Sequence, residues 1–251
     1  MSLNPYQSPD SPGQPPPKSG KPRFTLLHVL GALAAVGVLA ALFLPAPRMA
    51  REAGRRSQCG NNLKQIAIAL HNYHDKCGAF PPAYTVDADG KPLHSWRTLI
   101  LPYLEQKPLY DKIDLTKPWD DPANKEAFDT RVPTYRCPSN DTAEGHTIYL
   151  AVVAPGSCLQ PTQSRTLEEV KDQPTLMIVE VDADHAVHWM SPMDASEELL
   201  LQLGTAKKPP HPGGFQAAMT DGSVRMIDAK TKPATLRAAI SIAGGEVETL
   251  D

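Results

Sequence analysis

The chain is short of aromatic residues, which make up 6% of its 251 positions, and it has no surplus of basic charge. Its 25 Lys and Arg stand against 28 Asp and Glu, a formal net charge of −3. The first shortage argues against a compact helical bundle. The second removes the basic face that a nucleic-acid partner requires. A Walker phosphate loop, a GxSxG elbow, an HExxH helix and a pair of catalytic carboxylates are also missing. No enzyme class and no cofactor is therefore indicated. Cysteine is scarce too. The four that occur, Cys59, Cys77, Cys137 and Cys158, all lie C-terminal to the one long apolar run. An even number there suits two disulfides in an oxidising compartment; four buried thiols is the other reading. What the chain has in quantity is proline, 26 residues, which fits a loop-rich domain.

Seven of those prolines fall in residues 1–23. A segment so poor in apolar side chains cannot offset its ordering entropy and is expected to be disordered. Phe24–Leu44 follows, 21 residues without a formal charge. At ~1.5 Å per residue it is long enough for a hydrocarbon core of ~30 Å. It holds twelve Phe, Leu or Val residues, which favour insertion by about 4–7 kcal/mol, enough to absorb His28. A cleaved signal peptide has a shorter apolar region, ~7–15 residues, so an uncleaved single-pass anchor is expected. Basic residues flank both ends (Lys18, Lys21 and Arg23; Arg48, Arg51, Arg55 and Arg56), so charge alone leaves the orientation open. The short N-terminal tail and the cysteine-bearing C-terminal part favour the latter on the extracytoplasmic side of the cytoplasmic membrane. Small residues within the run (Gly31-Ala32, Ala34-Ala35 and Gly37) are compatible with a second span packing closely, or with ordinary helix filler.

Pro45 and Pro47 predict a kink or local break, after which helical patterning resumes to Cys77. Cys59, Leu63, Ile66, Leu70, Tyr73 and Cys77 are spaced 4, 3, 4, 3, 4, which puts them on one helical stripe facing the domain. Lys64, Gln65, Asn72 and Asp75 fall on other faces. A continuous helix separates Cys59 from Cys77 by ~27 Å, beyond the ~7 Å that a bridge spans. Two pairings remain: 59–137 with 77–158, or 59–158 with 77–137.

Beyond Cys77 the pattern is mixed. Ser95–Gln106, interrupted at Pro102, and Asp121–Asp129 read as short helices. Tyr135–Cys137, Thr147–Ala154, Leu176–Val181 and Ala186–Trp189 read as short strands. Asp194 is placed to cap a helix through Leu203, with Gly204 beyond it. Phe215–Thr220 and Ser223–Asp228 flank Asp221-Gly222, a two-residue hairpin signal. Pro233–Ala243 is a last helix closed by Gly244-Gly245. The domains expected are thus a tail (1–23), a transmembrane helix (24–44), its continuation as a spine (45–77) and an α+β ectodomain (78–251).

Three groups of residues invite a chemical reading. His211 and Asp221 would form a metal site or an acid–base pair if the last hairpin brought them together. The structural reading outweighs it, because no third ligand or nucleophile is spaced with them. In that reading Pro212-Gly213-Gly214 shapes the entry to a strand, His211 satisfies a backbone carbonyl, and Asp221-Gly222 makes the turn. His185 and His188 would share a metal only on one face, and a strand puts them on opposite ones. His71, His74 and Asp75 are near neighbours on a helix and are expected to tie its end to the following loop rather than to bind a ligand. No metal is expected at any of the three.

A long apolar N-terminal helix feeding a β-rich domain resembles the type IV pilin and pseudopilin plan. Several blocks are similar to a narrower group, the planctomycete-type prepilin-like "H-x9-DG" family of unknown function, also filed as solute-binding-like. These are Cys59-Gly-Asn-Asn-Leu-Lys-Gln65, His71-Asn-Tyr-His-Asp75, Phe80-Pro-Pro82, Ser95-Trp96, Leu101-Pro-Tyr-Leu-Glu-Gln106 and Arg136-Cys-Pro-Ser139. The last block is His211-Pro-Gly-Gly214 with Asp221-Gly222 following. The resemblance implies a pilin-like α+β fold: a long transmembrane helix packed on a mostly antiparallel sheet with short helices. It also implies a structural or display role in the envelope, without catalysis, with the bilayer and like subunits or other envelope proteins as partners. The alternative is a tethered receptor for a solute or glycan, with a pocket near Trp96, Trp119 or Trp189. Two positions depart from the pilin pattern: Arg23 stands where processing needs Gly, and His28 where pilins carry a Glu. Both speak against cleavage and filament assembly. Because Cys59 and Cys137 lie in the family-like blocks, the resemblance favours 59–137 with 77–158.

Overall fold

The computed structural model describes the backbone of residues 25–43, 46–170, 174–203 and 208–242, and side chains for these except 40–43 and 46–49. The expected tail, Phe24, Leu44, Pro45, Gly204 and the Gly244-Gly245 stop lie outside the described residues. The chain divides into two units between Arg48 and Met49.

The first unit contributes helix α1, Leu26–Phe43. Eight of its large apolar side chains, from Leu26 to Leu39, are exposed. Among the described residues no helix is long and apolar enough to cross a membrane; the predicted span includes Phe24 and Leu42 to Leu44, whose side chains are not among those described.

The second unit is α+β. Helix α2, Ala46–Cys77, belongs to this unit from Met49 onward and carries Pro47 in its first turn, where proline is tolerated because the N–H it lacks would be unpaired anyway. Cys59, Leu63, Ile66 and Leu70 are fully buried, as the stripe predicts. The stripe then fades: Tyr73 is half-buried and Cys77 exposed, because the last turn of α2 runs past the edge of the core.

Among the described residues eight short strands follow: β1 (Tyr84–Val86), β2 (Pro92–Ser95), β3 (His146–Thr147), β4 (Tyr149–Ala151), β5 (Leu176–Glu180), β6 (Val187–His188), β7 (Gly214–Met219) and β8 (Val224–Asp228). The main sheet is antiparallel in the order β4-β5-β7-β8, and β1-β2 and β3-β6 are separate antiparallel pairs. Every residue of β5 and β7 is buried, which explains their continuous apolar runs: both faces of these strands are covered. The edge strand β8 instead exposes Arg225 and Asp228, charges that discourage further strand addition. The other edge, β4, is covered by Asp194–Ala195, where the Ala195 N–H reaches Ala151 O at 2.9 Å and the Val153 N–H reaches Ala195 O at 2.8 Å.

Short helices fill the connections. Trp96–Leu99 (α3) and a 3-10 turn at Leu101–Leu104 replace the single predicted helix; the break falls at Ile100, ahead of the expected Pro102, which lies in the first turn of the second segment. Tyr135–Cys137, expected as a strand, lies at the end of a 3-10 turn, Pro133–Tyr135. The proline at its start favours that turn over a ladder. The helix expected to start at Asp194 runs from Glu197 to Leu203 and takes its cap from Ser196, whose Oγ accepts the Leu199 N–H.

Asp194 is used elsewhere. Its carboxylate meets Arg97 of α3 at 2.7 Å, with both side chains almost fully buried. All five guanidinium N–H donors of Arg97 are engaged. They go to Asp194 Oδ1 and to the carbonyls of Tyr149, Trp189, Ser191 and Met193, at 2.7–3.2 Å. Asp194 Oδ1 also accepts from Trp96 Nε1 and the Ala151 N–H. Burial raises the Asp194 carboxyl above its ordinary pKa, and the Arg97 charge and these N–H donors oppose that shift. Replacing Asp194 with Ala leaves the guanidinium without its counter-charge. It is expected to cost about 3–5 kcal/mol of stability, read as a lower midpoint in urea unfolding of the purified chain, whereas Asp111→Ala at the exposed Lys107–Asp111 pair should leave the midpoint in place.

Candidate functional site

His211 stands at a corner ahead of β7. His211-Pro-Gly-Gly214 closes a tight turn, with N–H to O bonds of 3.1 Å in both directions between His211 and Gly214 and a positive φ of 94° at Gly213. Pro at the second position and Gly at the third suit a type II turn. No side chain is tolerated at the fourth: a Cβ on Gly214 would meet Ile227 O at 1.9 Å. The turn therefore delivers the His211 ring, fully buried, under the sheet.

There the ring lies between two carboxylates. Nε2 is 3.1 Å from Glu180 Oε2, and Nδ1 is 3.4 Å from Glu52 Oε1. Glu180, the last residue of β5, is itself fully buried and accepts the Gln216 N–H at 2.9 Å. Glu52 is about one-third exposed and also bonds Ser139 Oγ at 3.1 Å. Burial alone would lower the His211 pKa; the two carboxylates outweigh it, and the net direction is upward. The role expected for this histidine, satisfying a backbone carbonyl, is thus corrected: its side chain serves an ion-paired cluster.

The Cys59–Cys137 disulfide, Cα–Cα 5.1 Å, lies beside the same ring and joins α2 to the loop ahead of β3. Cys77 and Cys158 are both unbonded, one exposed and the other buried. The expected second bridge is therefore absent: the fading stripe leaves Cys77 at the surface, while Cys158 is enclosed in the core. Burial pushes the Cys158 thiol up to about 12, which keeps it protonated and inert.

Asp221 takes no part in the His211 cluster. The six-residue strand β7 separates the two ends, roughly 20 Å at ~3.3 Å per residue. Asp221 instead accepts the Ser223 N–H at 2.8 Å, and Gly222 takes φ 76°. The loop has three residues rather than two: the Gly222 N–H reaches Met219 O and the Met219 N–H reaches Ser223 O, a turn followed by a left-handed glycine. Lys64 Nζ of α2 donates to Gly222 O at 2.6 Å, so the two halves of the His211–Asp221-Gly222 motif dock the same helix at two places.

The other histidine groups also have structural partners. His74 Nε2 accepts the Leu167 N–H at 3.0 Å, and both His71 and His74 pack on Phe80. His185 bonds Asp182 at 2.7 Å in a 3-10 turn, whereas His188 stacks on Phe128 with ring centres 3.9 Å apart. The two do not converge. Of the three tryptophans, Trp96 is spent on Asp194 and Trp119 packs on Phe128. Trp189 borders a cleft of about 430 Å³, lined also by Arg131, Tyr135, Arg136, Glu144 and His146. Arg131 and Glu144 are ion-paired there.

Sequence reasoning missed Glu180, Glu52, Arg97 and Asp194 as partners in these clusters. A signal existed for two of them. Glu180 ends an otherwise apolar strand, and Arg97 sits inside an apolar helix; a charge in such a run is tolerated only where it is paired.

Burial lowers the His188 pKa from 6.5 to about 4. Because the folded value lies below the unfolded one, this histidine contributes no penalty above pH 6.5. As pH falls from 6.5 towards 4 the unfolded chain gains a proton that the folded chain refuses, and stability drops by up to about 3 kcal/mol. The expected result is that His188→Phe loses less stability than wild type between pH 7 and pH 4, measured by denaturant unfolding at each pH.

Comparison with curated proteins and with solved structures gives no match. A family profile does match residues 48–196, more than half the chain. That stretch contains α2 from Arg48 onward, the disulfide, Arg97, Glu180 and Asp194, and ends before His211. The chain belongs to the family described as "Protein of unknown function (DUF1559)".

Proposed function

We propose that the protein is a single-pass membrane protein of the cell envelope: residues 24–44 cross the bilayer, and α2 begins a pilin-like domain displayed on the extracytoplasmic side. Its role is structural or one of display. The observation that carries this reading is the row of eight exposed Leu and Val side chains on α1. At about 1.5–3 kcal/mol for each side chain kept in water, they amount to roughly 12–24 kcal/mol at most, and a bilayer removes that cost. A disulfide in the domain fits an oxidising compartment. Arg23 and His28 favour a static anchor over a processed filament subunit.

Cys77 offers a native reporter of topology, because it is the exposed thiol while Cys158 is buried. In a Gram-negative host, a membrane-impermeant maleimide is expected to label Cys77 in spheroplasts without lysis, and the protein should resist carbonate extraction. Labelling only after lysis would reverse the orientation, and release by carbonate would remove the anchor. N-terminal sequencing is expected to find the tail intact; a start at Phe24 would restore pilin-type processing.

The cleft at Trp189 favours a second reading, a tethered receptor for a solute or glycan, since a concave site joining an aromatic wall to a few charged groups suits a small polar ligand. A sugar or peptide that raises the melting temperature of wild type but not of Arg136→Ala would support it. A screen without such a ligand would leave the display role alone.

A further inference from the structure

We propose that reduction of the Cys59–Cys137 disulfide creates a zinc site, in which the two thiolates, His211 Nε2 and a Glu180 carboxylate oxygen bind one Zn²⁺. Four residues of the types zinc prefers converge at this one point. Their donor atoms all lie within 4.8 Å of one another, and all four residues are buried. Tetrahedral donors at ~2.0–2.3 Å from a zinc ion stand about 3.3–3.8 Å apart, so small side-chain rotations suffice. The 3.3 Å between His211 Nε2 and Glu180 Oε1 is already the span of a nitrogen and an oxygen on a common ion.

The surroundings match what a metal-bound histidine needs. A ligating imidazole donates its other N–H to a carboxylate, which fixes the ring and raises its basicity. Glu52 faces His211 Nδ1 at 3.4 Å, on the side away from Glu180. Glu180 is steadied by the Gln216 N–H, leaving its other oxygen 3.3 Å from the ring. Glu52 is also the partly exposed rim of the cluster, and so offers an ion its way in. Two thiolates, one imidazole and one carboxylate in a tetrahedral array suit zinc better than the harder Mg²⁺ or Ca²⁺.

The chemistry balances with a dithiol as reductant. Its two thiols become a disulfide, the Cys59–Cys137 bond breaks, and two protein thiols form. Zinc uptake then releases both thiol protons and the Nε2 proton of His211. Disulfide and metal are thus alternative cross-links between α2 and the Cys137 loop, one for each redox state.

The test uses the full chain in detergent with Cys77→Ser, so that the exposed thiol does not compete. The protein is reduced with a dithiol, freed of reductant under anaerobic conditions, and titrated with Co²⁺ and then Zn²⁺. The expected result is one equivalent of Co²⁺ with thiolate charge-transfer absorption and tetrahedral visible bands, displaced by Zn²⁺; the oxidised chain shows neither. Glu52→Gln should weaken Zn²⁺ binding ~10–100-fold at unchanged stoichiometry, and His211→Ala should weaken it further. If the reduced chain unfolds, recovery of its circular dichroism on adding Zn²⁺ supports the site. Absence of the cobalt bands from a folded reduced chain, failure of zinc to refold an unfolded one, or bands indifferent to both Glu52→Gln and His211→Ala would overturn it.

Discussion

The buried pair of Arg97 and Asp194 is the constraint on which the rest of this domain depends. A guanidinium taken out of water is tolerable only when its charge is matched and every N–H is bonded, and Arg97 meets both conditions. Four of its five acceptors are backbone carbonyls or a carboxylate from the segment 189–194, and the fifth is Tyr149 of β4. One side chain therefore fixes where an irregular loop passes the edge of the main sheet. That loop covers the outer edge of β4, and it carries Trp189, which walls the cleft. Tyr135 Oη donates to Arg97 O at 2.7 Å, which brings the turn ahead of Cys137 into the same network. The same network thus reaches to within two residues of Cys137, the loop half of the disulfide.

The second cluster, around His211, does for α2 what Arg97 does for the sheet edge. Glu180 from β5, Glu52 from α2 and His211 from the turn before β7 come from three elements far apart in sequence. Each is costly to bury alone. Together they place an imidazole between two carboxylates beside a covalent cross-link. The cluster lies on the face of the sheet that α2 covers, so the charge network and the Cys59–Cys137 bond restrain the same contact. A site with donors of this kind needs little rearrangement to change from a structural clasp into a metal centre, and redox state is the variable that would decide between them.

Several elements were legible from pattern alone. The stripe from Cys59 to Leu70 faces the core because 3.6-residue periodicity leaves no other placement for its apolar side chains. The runs at β5 and β7 are strands buried on both faces, and the Asp221-Gly222 turn sits where left-handed glycine puts it. Errors arose where local signals competed with distant partners. Asp194 has the form of a helix cap, yet a buried arginine ninety-seven residues earlier claims it, and Ser196 caps instead. Cys77 continues the stripe, but a stripe carries no information about where the core ends. His211 and Asp221 keep a fixed spacing in the chain, although an intervening strand holds them apart and each makes its own contact with α2 or its partners.

Sequence by itself determined the α+β class, the apolar segment ahead of the domain, the spine helix and the family, because these rest on local periodicity, composition and contiguous motifs. Only the tertiary structure decided which charges are paired, which cysteines are bonded and what His211 touches. Those outcomes depend on burial and on contacts between residues far apart in the chain, and the desolvation of a charge has no value until the fold has chosen its neighbours.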